Sequence, residues 1–364
     1  MILFWLLPLA GMVYASWRTW QLLPTPIWAR CVVIALMIGL LLSMFWLFHN
    51  GLNNLSLAVA TFFYEVSTSW LVIFLYLILV FLVLDVCKLF VPSLRPLLHH
   101  SVMGTAFVIA LLVVIFVGAN MQYRHKVRVP LRVTTSKALK KPLRVVLMSD
   151  LHLGYHNRRG TLARWVEKLN AEHADMILIG GDLIDISVRP LRETRMAEVL
   201  KQLNAPVYAC LGNHEYYAGI SEAMAFYRDA GITLLRDSVV EAEGVQIIGR
   251  DDRSNGRRLS LEQLCAKKDE RRFTILLDHQ PYLLEEAMQN GIDFQFSGHT
   301  HYGQVWPISW IERLLYEQAH GGLRKGATEY YVTSGLGIWG GKFRIGTRSE
   351  YLVMEIDSAH GTDD

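Results

Sequence analysis

A chain of 364 residues is long for one ordinary domain, and 52% hydrophobic content with a mean hydropathy of +0.25 is high for a wholly soluble protein. Charged residues make up 19%, scarce before residue 120 and common after it, so the chain divides into an apolar and a polar part. A net charge of +3 is too small to argue for nucleic acid, and the four cysteines form no CxxC pair, which leaves neither a thiolate zinc site nor a disulfide framework.

Four apolar stretches fill residues 1–120: 2–17, 31–48, 71–87 and 103–119. Each is near the roughly 20 residues that cross about 30 Å of hydrocarbon as a helix. The first is short and contains Pro8, but it lacks the basic leader of a cleavable signal peptide, so it is expected to be retained. Runs such as CVVIALMIGLLLSMFWLF have no polar face, which argues against buried helices of a soluble core. The expectation is a four-helix transmembrane region in a lipid bilayer, multi-pass, of the bacterial inner-membrane type. Four spans put Arg18, Arg30, Lys88 and Arg95 on one side, and on the other the 49–70 loop, which has no Lys or Arg, and the polar part. Counting short loops places the polar part outside the cytoplasm. Arg124, Lys126, Arg128 and Arg132 directly after the last span suit a cytoplasmic placement, which stays open.

Residues 121–143 read as a basic linker and first strand. Within 120–144 there are eight Lys or Arg and no Asp or Glu, and KVRVPLRVTT alternates like a strand. It is either a contact for anionic headgroups or an edge strand that tolerates Pro130. From 144 to 364 the pattern is that of an α/β domain. The apolar runs are RVVLMS, MILIG, VYACLG, FTILLD and FQFSG, with helices expected over 161–172, 191–204, 221–230 and 282–290. Gly231 and Gly291 read as C-terminal stops. GVQIIG, EYYVTS and EYLVMEI add strands that read as hairpin-connected.

The ends of the five runs carry the chemistry. After them come Asp150 and His152, then Asp182, then Asn213 and His214, then His279, then His299 and His301. Open α/β sheets bind ligands at the carboxyl ends of their strands, so these residues can meet in one crevice. A mixed oxygen and nitrogen set suits two divalent transition-metal ions, Mn, Fe or Zn, better than Mg or Ca. Taken singly, an Asp or Asn after a strand caps a helix or makes a turn; all five strand ends doing so together is a poor coincidence.

The ordered set DLH, GD, GNHE, H and GHTH resembles the signature of the calcineurin-like metallophosphoesterases, and SDLHLG, GHTHYGQVWP and VTSGLG resemble their membrane-anchored cell-envelope branch. The resemblance covers about residues 124–357. It implies a calcineurin-like two-sheet β-sandwich flanked by helices. It also implies Asp150, His152 and His301 on one ion, Asn213, His279 and His299 on the other, Asp182 bridging, and His214 beside them without binding either. Two such ions can lower the pKa of a shared water from 15.7 towards about 7 and so supply hydroxide for in-line attack on phosphorus. His214 is then the candidate proton donor to the leaving group, held by Asp150 or another carboxylate.

The expected function is an integral membrane phosphohydrolase that cleaves a phosphoester or pyrophosphate bond of a lipid or cell-envelope substrate. The alternatives are a non-catalytic metal-binding scaffold or sensor, and a phosphodiesterase acting on nucleotides or nucleic acid. Arg344 is a candidate for steering an anionic headgroup, as is Arg348, although ordinary salt bridges account for both equally well. GLGIWGG reads as a turn between strands. The apolar VWPISWIERLLYEQ, 305–318, is expected to pack on the domain, with a lid that meets the bilayer as the alternative.

Overall fold

The computed structural model describes residues 2–48, 51–266 and 268–359. Residue 1, the start of the 49–70 loop at residues 49 and 50, and residues 360–364 of the expected catalytic region lie outside these. The chain forms two compact units, one of residues 1–121 with 340–343 and one of 122–339 with 344–364.

The first unit holds the helices α1 (Ile2–Leu22), α2 (Ile27–Phe48), α3 (Leu57–Phe90) and α4 (Val102–Arg124). Among the described residues, three of them, α2 over Ile27–Leu47, α3 and α4, are long and apolar enough to cross a membrane. The expectation of four spans is corrected. Helix α1 does form, but it carries Pro8 inside and Arg18, Thr19 and Gln21 near its end, which dilute its apolar length. At 1.5 Å per residue the 34 residues of α3 run about 51 Å, longer than the hydrocarbon layer. Its Asp85 is paired as a carboxylate in an apolar setting must be. Arg18 Nη2 lies 2.9 Å from Oδ1, Lys88 Nζ 2.7 Å from the same oxygen, and the Tyr14 hydroxyl donates to Oδ2 at 2.7 Å.

The second unit contains two six-stranded sheets. The first is made of β1 (Lys126–Thr135), β2 (Leu143–Met148), β3 (Met176–Gly180), β4 (Val207–Cys210), β5 (Thr233–Leu234) and β12 (Ser349–Ser358), in the order β1-β12-β2-β3-β4-β5. The second is made of β6 (Ser238–Ala242), β7 (Val245–Gly249), β8 (Thr274–Leu277), β9 (Phe294–Ser297), β10 (Gly321–Lys325) and β11 (Thr328–Val332), in the order β10-β11-β9-β8-β7-β6. The helices are α5 (Arg159–Asn170), α6 (Arg189–Glu193), α7 (Met196–Leu200), α8 (Asn213–Tyr217), α9 (Ile220–Asp229), α10 (Leu261–Cys265), α11 (Glu285–Gln289) and α12 (Ile308–Leu315). Side chains alternate across a strand. Val145 and Leu147 of β2 therefore join Ile275, Leu277, Phe294 and Phe296 in the core between the sheets. Val146 and Met148 join Leu162, Val166, Val199 and Phe226 of the helices outside the first sheet. Ile248 and Leu276 meet Leu261, Leu264 and Ala287 outside the second. Apolar on both faces, these strands read as continuous hydrophobic runs.

Four expectations change in detail. The helix over 191–204 is two short ones, α6 and α7, broken at Arg195 with φ 53°. Arg159 Nη1 donates to the carbonyls of Thr194 and Arg195 at 2.8 and 2.9 Å and so competes with the helical ladder. Over 282–290 only α11 is helical, after Leu283 at φ 54°. Hairpins join β6 to β7 and β10 to β11, but β12 is no hairpin strand: it lies between β1, to which it is parallel, and β2, to which it is antiparallel. Strand β1 is an edge, where Pro130 removes no donor that the sheet needs. The 305–318 segment keeps most of its apolar side chains exposed instead of packing them on the domain.

Candidate metal centre

Five strand ends deliver the eight expected residues to one place. Asp150 and His152 follow β2, Asp182 follows β3, Asn213 and His214 open α8 after β4, His279 follows β8, and His299 and His301 follow β9. Strands β2, β3 and β4 run parallel in one sheet, as do β8 and β9 in the other, so both sheets present their carboxyl ends. Turning so many side chains inward strains the backbone. Asp150, His152, Asp182, His299 and His301 all have φ between 43° and 71°, a region that non-glycine residues enter at a cost and that is concentrated at functional sites. Glycines allow the close approach: a Cβ on Gly212 would lie 2.2 Å from Asp182 Oδ1, and one on Gly298 2.2 Å from Asp150 Oδ2.

Among the described residues three groups result, Asp150 with His152 and His301, Asp182 with His279 and His299, and His152 with Asp185 and His214, each offering atoms within 4.8 Å of one another; the first two contain only expected ligands. His152 Nε2 and His301 Nε2 face each other at 3.0 Å, and Asp150 Oδ1 lies 3.5 Å from the latter. Asn213 Oδ1 is 2.8 Å from His299 Nδ1. Asp182 Oδ2 reaches the first two groups, 3.7 Å from His152 Nε2 and 3.0 Å from His279 Nε2. His279 Nδ1 donates to the Gly180 carbonyl at 2.7 Å, which turns its Nε2 inward.

The electrostatics call for positive charge at the centre. Burial, and then His152, push the His301 imidazole well below its ordinary pKa. Burial and the nearby His279 bring His299 down to about 4. Burial also opposes charge on His279, but Asp182 outweighs it and holds that imidazole well above its ordinary pKa. Asp150 Oδ2 is buried without a hydrogen-bond partner, a donor atom that a cation would satisfy. The residues present therefore fit divalent metal ions, and the nitrogen and oxygen donor set fits transition metals.

Two buried carboxylates went unrecognised in the sequence. Asp185 Oδ1 lies 3.6 Å from His152 Nδ1 and 3.4 Å from His214 Nδ1, so the carboxylate beside His214 is Asp185 and not Asp150. Burial opposes its charge, but His152 and His214 hold it well below the usual carboxylate range. Burial likewise disfavours the His214 imidazolium, yet Asp182 and then Asp185 raise its pKa to about 9. The His214 and His152 ring centroids are 4.4 Å apart. Glu215 is buried and accepts from the backbone N–H groups of Gly212 at 2.7 Å, Ile184 at 3.0 Å and Asp182 at 3.1 Å. It thereby ties two ligand loops together. Its place inside GNHE was a usable signal; Asp185, in an ordinary turn sequence, gave none.

Arg344 is corrected. Its side chain is fully buried, and its guanidinium donates to the carbonyls of His301 at 2.6 Å, Gly337 at 3.2 Å and Ser334. It holds the ligand loop from behind and has no free face for a headgroup. Arg348 is salt-bridged to Glu350 at 2.7 Å. The GLG turn packs on the site: Leu336 and Gly337 N–H donate to the Ser149 and Asp150 carbonyls, both at 3.0 Å.

A two-sheet α/β sandwich with metal-type donors at its strand ends is the class that fold and site define. The calcineurin-like phosphoesterase family matches residues 143–303. An uncharacterized metallophosphoesterase of Helicobacter pylori is 32% identical over 225 residues, 60% of this chain and 60% of that one. The chain thus spans less than two thirds of that relative's length. One of Aquifex aeolicus is 30% identical over 224 residues, 59% of this chain and 85% of its own. A Danio rerio relative named as a transmembrane protein with metallophosphoesterase domain is 33% identical over 236 residues, 60% of this chain and 54% of that one. The chain belongs to the calcineurin-like metallophosphoesterase family.

Proposed function

We propose that this protein is an integral membrane phosphohydrolase with a binuclear metal centre, acting on a phosphoester or pyrophosphate bond of a lipid or cell-envelope molecule. The observation that carries the reading is the meeting of two donor clusters through Asp182, whose Oδ2 approaches His152 on one side and His279 on the other. Asp150, His152 and His301 would hold one ion and Asn213, His279 and His299 the other, with Asp182 placed to serve both. Divalent cations bound there supply positive charge for the phosphoryl oxygens and lower the pKa of the attacking water.

The protein's own contribution is placement and a proton. His279 is fixed in one tautomer by the Gly180 carbonyl. The backbone N–H of His214 donates to Asp182 Oδ1 at 2.9 Å, which locks the carboxylate and positions the His214 ring beside the clusters. With a pKa of about 9 that ring is an imidazolium at neutral pH, and from there it protonates the leaving oxygen, oriented by Asp185. Mn, Fe and Zn are the ions that suit the donors. The three helices of membrane-crossing length support a bacterial inner-membrane location, with the catalytic unit on the extracytoplasmic face.

The test is hydrolysis of p-nitrophenyl phosphate and its bis ester by the full-length protein in detergent, with Mn added and with chelator. Turnover that appears with Mn and vanishes with chelator is expected. Bound metal without hydrolysis of either ester would replace this reading by a scaffold or sensor.

A further inference from the structure

Helix α12 is mounted the wrong way round for a soluble protein. At 100° per residue, Ile308, Trp310, Ile311, Leu314 and Leu315 share one arc and Ser309, Glu312 and Arg313 the other. A surface helix ordinarily turns its apolar stripe to the core. Here Ser309 is the buried residue, while Trp310, Ile311 and Leu314 are 59%, 52% and 87% exposed. Arg313, on the polar arc, bonds the Tyr302 hydroxyl and lies over its ring. The mounting is firm. Trp306 N–H donates to the Ile345 carbonyl at 2.8 Å, the Trp306 and Trp310 rings pack edge to face at 5.4 Å, and Gly303 lies so close that a Cβ there would be 2.5 Å from Ser309 N.

Both ends of α12 lead into the metal centre. Its start follows the His301–Gly303 turn, and just past its end the Tyr316 ring stands 6.2 Å from the His299 ring, its hydroxyl 2.9 Å from that of Tyr282. A contiguous apolar face of this kind marks a binding surface. The chain itself names the occupant. It carries three helices of membrane-crossing length, and only His125 separates the last of them, α4, from β1 of the catalytic unit, so the unit is tethered at a bilayer. Tryptophans with aliphatic neighbours and few charges are the composition that the headgroup and acyl boundary accepts.

We propose that α12 docks its Trp310, Ile311 and Leu314 face into the bilayer interface and thereby presents the metal centre to phosphoryl groups at the membrane surface. This rests on the phosphohydrolase reading for its substrate class, the phosphate of a membrane-embedded amphiphile, but not for the docking itself. An amphiphile then reaches the donors without leaving the lipid.

The full-length protein, its four native cysteines replaced, carries an environment-sensitive fluorophore at Leu314→Cys or, as control, at Gln263→Cys on α10. It is reconstituted into phosphatidylcholine and phosphatidylglycerol vesicles containing doxyl lipid. Quenching at 314 several-fold above that at 263 is expected. Equal quenching overturns the docking, and chain-to-chain disulfide capture in the unlabelled Leu314→Cys protein, with no lipid quenching in the labelled one, overturns it in favour of a dimer. In the same vesicles Trp310→Ser/Ile311→Ser/Leu314→Ser is expected to lower turnover of phosphatidic acid at least tenfold while soluble bis(p-nitrophenyl) phosphate changes less than twofold. Equal loss on both substrates, or on neither, overturns delivery from the membrane. Absence of turnover of the soluble ester by the parent protein strikes the phosphohydrolase reading and leaves the quenching result standing.

Discussion

His214 separates proton donation from metal binding, because its imidazole touches Asp185 and belongs to neither donor cluster in the proposed roles. If it protonates the leaving group, His214→Ala lowers kcat by about 10²–10⁴-fold on an alkyl phosphate ester. On a p-nitrophenyl ester, whose leaving group needs no proton, the loss is expected to stay within about tenfold. Steady-state kinetics on the two esters check this; equal losses would make His214 a phosphate-binding group instead. The raised pKa sets the sign of the pH dependence: the acid form is present at neutral pH and is lost as pH rises through a value of about 9, which bound cations would lower by repulsion. An alkaline limb in kcat is therefore expected in the parent and absent in the variant. Gly212→Ala tests the cradle, since its Cβ would meet Asp182 Oδ1 at 2.2 Å. It is expected to destabilise by about 1–3 kcal/mol and to lower metal content, read by melting and elemental analysis. The donors were legible because each follows a hydrophobic run, a signal carried in sequence order. Asp185 was not, because its partners His152 and His214 lie in other loops and meet it only once the sheets are built.

Among the elements, the loop that carries His299 and His301 depends on a buried arginine more than on its own sequence. Arg344→Met keeps the bulk but removes a donor from the carbonyls of Ser334 and Gly337, and from that of His301, which keeps the Gln304 N–H at 3.1 Å. A buried acceptor left unsatisfied costs about 1–3 kcal/mol. A lower melting temperature and weaker metal retention are expected together, with no change in KM for a small ester, since the guanidinium does not reach substrate. Strand positions were legible because runs apolar on both faces have few other readings. The helix over 191–204 was not: its periodicity persists through Arg195, and the break comes from Arg159, some 35 residues away in sequence. Nor was the side that α12 turns outward, since an amphipathic pattern specifies that a helix has two faces and not which one meets protein.

For the molecule as a whole, metal and stability are linked. Cations that bind the donors only where the fold assembles them stabilise the folded chain, so chelation is expected to lower the melting temperature and added Mn to restore it. Reducing the spans from four to three leaves the sidedness argument intact. With three spans the loops with Arg30 and with Lys88 and Arg95 would still fall on one side and the second unit on the other, because α1 precedes all three. Alkaline phosphatase fused after Ala119 is expected to be active, as an extracytoplasmic catalytic unit requires. An inactive fusion would reverse the sidedness.

The position of β12 between β1 and β2 orders events during synthesis. The apolar helices leave the ribosome first and can insert while the sheet still lacks its penultimate member, so β1 waits beside the membrane for a companion from the far end of the polypeptide. A chain stopped before Ser349 would be anchored yet permanently open along two strand edges, the form that invites aggregation and proteolytic removal.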